Sequence, residues 1–582
     1  MPTRFRPSSS WSLHGSFPLL GGLLLLVVLL GMISGREAPP DEVQDRLRIR
    51  LEAARSGSTN ALTVGGEELR VTEGVRRYYR TVAFEPAWTG ADGPTAQAET
   101  LRAVLSRADG HGLRPADYHV AMIDSLRNVL RAAVAAGRPM DSRTLADFEL
   151  LCTDAFLLYG AHLLGGRVDP VDVVPTWNLD RRQQDLVQQL QNALDSGSVK
   201  TTLAGLAPPQ SEYRALRQAL AEYRRLQSDG GWPRIPDGPA MEEGATGERV
   251  RLLRRRLLLT GDLSEVVTTD ASAFDARLRR AVARFQERHG LAIDGVVGSA
   301  TRSAMNVPVE ERIEQIRVNL ERWRWLPRDL GDPHIIVNIA DFWLRVVDQD
   351  RTVLQMRVVV GLPYRQTPVF SDEITYLVFN PYWYVPRSIA VKDKLPDFRR
   401  NPALVSQLGF EVFEGWGADA RKVDPATLNW DRLSASNFPY RFRQRPGPLN
   451  ALGQVKFMFP NSYDVYLHDT PSRELFNHTQ RSFSSGCIRV EYPVDLATFL
   501  LRSNEGWTEE RVESAMKASR ERAVVLNRKV PVHLLYWTAW MEGSEAIHFR
   551  RDVYDRDDAV LSALNEAPSP LSNRTATEQS DD

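Results

Sequence analysis

The stretch YDVYLHDTPSRELFNHTQRSFSSGCIRV, residues 463–490, decides how this chain is read. It opens as an alternating run, with Tyr463, Val465 and Leu467 on one face and Asp464, Tyr466 and His468 on the other, the period of a half-buried strand. It closes on a thiol, Cys487, preceded by Ser485 and Gly486 and followed by the β-prone Ile488-Arg489-Val490. A thiol serves as a nucleophile when an imidazole takes its proton and backbone amides face the oxyanion that develops. His468 is the candidate base, with Asp469 holding its second ring nitrogen by carboxylate or main-chain carbonyl. The amides of Ser485, Gly486 and Cys487 are the candidate oxyanion donors, and Gly486 lets the backbone approach closely. Arg489 suits loop support or a substrate carboxylate, with a salt bridge inside the domain as the equal alternative. His468 and His478 are not spaced for zinc and no thiol or carboxylate completes a set, so neither a metal nor a cofactor is expected.

Downstream of Pro333, β-rich runs at 334–340, 342–347, 353–360 and 374–380 are separated by Asp, Gly and Pro signals. They predict a mostly β, largely antiparallel catalytic domain over 333–540, with helices at 494–501 and 509–522. Residues 391–447 interrupt the pattern with lysines, prolines and the aromatics Phe410, Trp416, Trp430 and Tyr440, and read as an inserted lid. The polar residues 541–582 read as a tail, partly disordered from Pro568 onward.

Upstream, helical periods at 101–108, 122–136, 145–164, 181–194 and 212–227 predict an all-helical domain over 67–240. Cys152 falls on the apolar face of the third, a buried core position, and His111, His119 and His162 are dispersed, as structural histidines are. Helices from 249, 275 and 299, linked by the Gly-rich turn 290–298, make a small unit over 245–308, followed by a connecting helix in 309–332. At the N-terminus, Arg4 and Arg6 precede a nearly uncharged run from Ser16 to Ser34. Its length and flanking charge predict a signal anchor over 1–36, a linker over 37–66, and export of the remainder. A cleaved signal peptide is the competing reading. The chain of 582 residues balances 73 basic against 74 acidic side chains, which argues against a nucleic-acid partner. The expectation is thus a multidomain α+β protein in which Cys487, as a free thiol in an oxidising compartment, carries chemistry.

The pattern from Ala281 through Phe285-Gln286, Gly290-Leu291, Asp294-Gly295 and Gly298 to Thr301 resembles the three-helix peptidoglycan-binding module. The His468 and Ser485-Gly486-Cys487-Ile488-Arg489 set resembles the YkuD-type L,D-transpeptidases. It is most similar to the large periplasmic subgroup that joins a membrane anchor, a helical scaffold domain, this module and a catalytic domain with a lid. The closer match rests on Asn380 to Pro386, Pro446 to Gly453, Phe457 to Asn461 and His468 to Pro471. One departure is Ser485, which stands where many members have a second histidine. The resemblance implies an acyltransferase of the periplasm, anchored to the inner membrane through its N-terminal helix or released there if the signal is cut. Peptidoglycan stem peptides and glycan would be its substrate, and cell-wall synthesis proteins candidate partners. In the implied reaction Cys487 forms a thioester with one stem and an amine of a second stem resolves it, making a 3-3 cross-link. Tyr466, Trp383, Tyr382 and Asn450 are the substrate-binding residues it suggests. L,D-carboxypeptidase or endopeptidase action on the same stems, and a non-catalytic peptidoglycan-binding scaffold, are the alternatives.

Overall fold

The computed structural model describes residues 40–53, 62–174, 177, 179, 181–264, 270–415, 419–542 and 546–569. The anchor expected over 1–36 and the stretch 570–582 lie outside them. Among the described residues no helix is long and apolar enough to cross a membrane.

The catalytic region is built on strands β1 (His334–Asn338), β2 (Trp343–Asp348), β3 (Arg351–Gly361) and β4 (Phe370–Phe379), then β5 (Trp383–Tyr384), β6 (Phe410–Glu414), β7 (Arg421–Val423) and β8 (Tyr440–Gln444). It continues with β9 (Val455–Met458), β10 (Leu467–His468), β11 (Ser482–Ser484), β12 (Ile488–Val490), β13 (Arg522–Leu535), β14 (Ala539–Glu542) and β15 (Ala546–Phe549). Nine of these form one sheet in the order β11-β3-β12-β10-β9-β4-β13-β1-β2, and β2 also pairs with β3, so the sheet closes on itself. Closure leaves the apolar side chains of alternate positions, among them Val337, Leu344, Val358, Leu377, Phe457, Leu467, Ile488 and Val532, facing one interior from which water is excluded. The expectation of a largely antiparallel unit holds, six of the nine pairings in this sheet being antiparallel. Pairs β10–β12, β11–β3 and β13–β1 run parallel, because the connections that place the thiol and imidazole beside each other are crossovers rather than hairpins.

The lid is an ordered subdomain and begins earlier than residue 391. Strands β7-β6-β8-β5 make a four-stranded sheet, so Trp383 and Tyr384 already belong to it. Its own apolar core includes Trp383, Val385, Phe398, Phe410, Trp430, Phe442 and Leu452. Alternation in such short strands is masked by aromatics, which is why the stretch reads as patternless.

Helices α1 (Pro40–Ala53), α2 (Ser142–Gly165) and α3 (Ser211–Ser228) belong to the N-terminal helical domain, where α2 is buried along nearly its whole length and encloses Cys152. Within the linker expected over 37–66, α1 joins the helical domain and packs on α2 through the buried Val43, Leu47 and Leu51. The small module holds α4 (Glu248–Leu259), α5 (Ala276–Arg288) and α6 (Ser299–Met305) around a separate core. Next comes α7 (Val309–Arg324), which is no mere connector. Its apolar face is part of one continuous core shared by the helical and catalytic domains, with Trp323 stacked on Trp537 at 4.5 Å. On its other side the Arg324–Glu321 ion pair is fully buried, and Arg324 donates to the His111 carbonyl while Glu321 accepts from the Val168 amide. After α8 (Pro493–Leu501) and α9 (Glu509–Met516), whose end falls short of the expected 522 because Arg522 starts β13, the chain returns in α10 (Asp557–Asn565).

The tail expected over 541–582 is therefore corrected up to residue 569. The hairpin β14–β15 and α10 are folded against α7, with Trp540, Phe549, Val560 and Leu564 buried. Their polar residues line surfaces between domains, where composition alone resembles that of a tail.

Candidate active site

Cys487 lies in the bend between β11 and β12, immediately before β12 rather than at a helix start. In the register of β10 and β12, Leu467 faces Ile488 and His468 faces Arg489, and both aliphatics point into the barrel. The alternate positions Tyr466, His468, Cys487 and Arg489 therefore share the opposite face. Lys456 on β9 pairs with His468, so Lys456, His468 and Arg489 form a row across three neighbouring strands.

That face floors a cleft of about 1130 Å³ roofed by the lid, and Tyr382, Trp383, Lys456, Tyr466, His468, Cys487 and Arg489 all line it. Exposed aromatics gather at its rim, with Tyr364 at 76%, Tyr384 at 51% and Phe483 at 39% exposure, a concentration typical of a binding cleft.

His468 is buried, and its Nδ1–H donates to the Asp469 carbonyl at 2.5 Å, leaving Nε2 as the basic nitrogen of the neutral ring. Of the two ways Asp469 could orient it, the main chain is the one used. The Asp469 carboxylate instead accepts from the Gln454 amide at 2.9 Å and pairs with Arg473 at 3.2 Å. Burial, followed by the charge of Arg489, pushes the His468 pKa down to about 3. Burial likewise pushes the Cys487 thiol up to about 11, against the opposing pull of Tyr466 and Arg489. Thiol and imidazole are thus both neutral at rest. The thiol donates to the Asp464 carbonyl at 3.7 Å.

Two of the expected donor roles change. The Gly486 amide donates to Ser484 Oγ at 3.1 Å, which removes it from the oxyanion set and leaves the amides of Ser485 and Cys487. At +119° the φ of Gly486 is a conformation that side-chain-bearing residues rarely adopt, whereas a Cβ there would meet nothing nearer than 3.7 Å. Backbone shape rather than close approach requires this glycine. Arg489 makes no ion pair among the described residues, and its Nε is buried without a partner. Its pKa is lowered, mainly by burial.

Among the expected substrate contacts, Tyr466, Trp383 and Tyr382 reach the cleft, although Trp383 is also core of the lid, packed on Phe410. Asn450 is a correction. It is 1% exposed, its Nδ2 donates to the carbonyls of Pro381 and Arg445 at 3.0 Å each, and its Oδ1 accepts from the Leu452 amide. A buried amide with its bonds spent on backbone braces a loop and has nothing left for a ligand.

Sequence reasoning missed the residues that hold the Cys487 loop. Arg365 donates to Ser485 Oγ at 2.8 Å and forms a bidentate pair with Asp393 of the lid at 2.5 and 2.7 Å. Thr367 Oγ1 donates to the Gly486 carbonyl at 2.8 Å, and Tyr554, from the supposed tail, donates to the Gly361 carbonyl at 2.7 Å while accepting from the Thr367 amide. Lys456 was also missed, since only the strand register brings it to His468. The lone charge between Val455 and Phe457 was the signal that could have found it.

Residues 332–520 match the L,D-transpeptidase catalytic domain (YkuD), residues 246–305 the "Putative peptidoglycan binding domain", and residues 73–220 the "Scaffold domain". The chain thus carries a YkuD-type L,D-transpeptidase catalytic domain together with a peptidoglycan-binding-type domain and a scaffold domain. A curated Haemophilus influenzae protein, "Putative L,D-transpeptidase", is 35% identical over 255 residues, which is 43% of this chain and 50% of that protein. The chain therefore spans half the length of that relative. Among solved structures, an L,D-transpeptidase of Xylanimonas cellulosilytica is 16% identical, covering 52% of this chain and 100% of its own, with a TM-score of 0.17. One from Stackebrandtia nassauensis is 12% identical, covering 51% and 94%, with a TM-score of 0.20. Scores this low leave the fold to rest on the topology above.

Proposed function

We propose that this protein is a peptidoglycan L,D-transpeptidase that forms 3-3 cross-links through a Cys487 thioester. The observation that carries the reading is the placement of Cys487 and His468 on one face of adjacent parallel strands, with Nδ1 of the imidazole already committed to a carbonyl. Nε2 takes the thiol proton as Sγ attacks the carbonyl carbon of the third stem residue. The amides of Ser485 and Cys487 receive the oxyanion, and as the amide C–N bond breaks, His468 returns the proton to the departing D-alanine nitrogen. The side-chain amine of a second stem then attacks the thioester, loses its proton to His468, and releases the thiol. Because both groups start neutral, the sequence needs no preformed thiolate–imidazolium pair. Lys456 and Arg489 supply the positive field in which the transient thiolate forms.

The lid favours the amine over water as acceptor, since it roofs the cleft and is tied to the nucleophile loop through Asp393, Arg365 and Ser485. A substrate of the cell wall places the enzyme in the periplasm. Incubation with disaccharide-tetrapeptide followed by mass spectrometry tests the reading: dimers lacking one D-alanine are expected. Tripeptide monomers as the sole product would assign hydrolysis instead.

A further inference from the structure

A second cleft, of about 730 Å³, lies between the three-helix module and the barrel and has no part in the chemistry above. The module's loop at Gly290 to Ile293 forms one wall, and β2, β3 and the β14–β15 hairpin form the other. These walls are locked together. Arg288 donates to the Ile547 carbonyl at 3.0 Å and Arg550 to the Arg288 carbonyl at 2.9 Å. Gly290, at φ +65°, sits so close that a Cβ would lie 2.6 Å from Arg550 Cδ.

The lining has the chemistry of a sugar site. Half-buried Trp343 offers an aromatic surface, and Gln355, Asn477 and Gln480 offer amides that donate and accept together. Most charges are already spent: Arg550 on Asp341, Arg357 on Glu491, and Arg481 on the carbonyls of Val358, His478 and Phe342. Glu287 and Arg551 remain outside any ion pair among the described residues, and four arginines against three carboxylates leave the lining one net positive charge, too little to hold a polyanion. A pyranose pairs its CH face with an aromatic ring and its hydroxyl and acetamido groups with amides and with the N–H donors of the Arg551 guanidinium.

The second cleft also adjoins the first. His478 lines it, Phe483 lines the active-site cleft, and their rings are 5.4 Å apart, so one short ridge on β11 separates the two. We infer that the glycan strand of peptidoglycan lies in this interdomain cleft, held by the module and the catalytic domain together, and passes its stem peptide over Phe483 to Cys487. The inference rests on peptidoglycan being the substrate.

The test uses full-length protein and glycan strands stripped of stem peptides. With Cys487→Ala as the parent, Arg551→Glu and Ile293→Asp, one from each wall and both exposed, should each weaken strand binding at least about tenfold. Arg251→Glu, on α4 outside the cleft, should not. In the Cys487 background, Arg551→Glu and Ile293→Asp should leave turnover of a sugar-free tetrapeptide fragment and the melting temperature unchanged. Strand binding unaffected by both cleft variants would overturn the assignment, as would equal weakening by Arg251→Glu. Parallel loss of fragment turnover would overturn it too, by giving these residues to the fold. Intact strand binding with no fragment turnover by the parent Cys487 enzyme would count against the acyl-transfer reading and leave the cleft standing.

Discussion

At the level of single side chains, the site is set by desolvation. Burial alone would leave Cys487 a poor nucleophile and His468 a poor proton acceptor, so the proposed reaction calls for concerted transfer rather than a resting ion pair. An ordinary imidazole would lose half its base form near pH 6.5. Held neutral down to about 3, His468 should keep kcat/KM level from about pH 8 to pH 5, and a pH–rate profile with a limb near 6.5 would contradict this. Lys456→Met should lower kcat/KM roughly tenfold or more and slow alkylation of Cys487 at every pH below its titration. Lys456→Arg should restore part of both, which a merely structural lysine would not do. His468 and Cys487 were legible in the sequence because motif residues occupy fixed offsets. Lys456, Arg365 and Tyr554 were not, because each reaches the site through strand register or chain reversal, which leaves no local period to read.

At the level of elements, two segments whose composition hides their order reach the Cys487 loop. The lid carries its own sheet and core, and one polar contact, Asp393 with Arg365, joins it to the Ser485 loop. Asp393→Ala should therefore raise KM for the donor stem and increase hydrolysis relative to cross-linking, measured as the tripeptide-to-dimer ratio. The segment after Trp540 has a similar importance. Tyr554→Phe removes a buried hydroxyl that serves the Gly361 carbonyl and the Thr367 amide, and should cost about 1–3 kcal/mol in denaturant unfolding along with a loss in kcat. The helical periods around Cys152 were readable since α2 is long and apolar. The β14–β15 hairpin was not, because its exposed positions are as polar as those of a disordered tail.

Across the whole molecule, the helical domain and the barrel share one core through α7, so they should unfold together rather than as separable units. Trp537→Ala, which removes the ring stacked on Trp323, should cost about 3–5 kcal/mol and shift the helical and β signals in a single transition. Acid should destabilise the same assembly early. Burial lowers the pKa of His111 to about 2, His468 to about 3, and His533 and His548 to about 4, so the folded state refuses protons that the unfolded chain binds from about 6.5 downward. The contribution of these groups to stability is whole above 6.5 and is lost as pH falls through that value toward 4, which a melting series from pH 8 to pH 4.5 would register as a falling Tm. The most direct test of the central claim is intact-protein mass spectrometry on enzyme quenched during turnover of disaccharide-tetrapeptide. An adduct of the substrate less one D-alanine is expected on Cys487, absent from Cys487→Ala, which also gives no dimer. Dimer formation by the folded Cys487→Ala protein, or an adduct mapped to another residue, would contradict it.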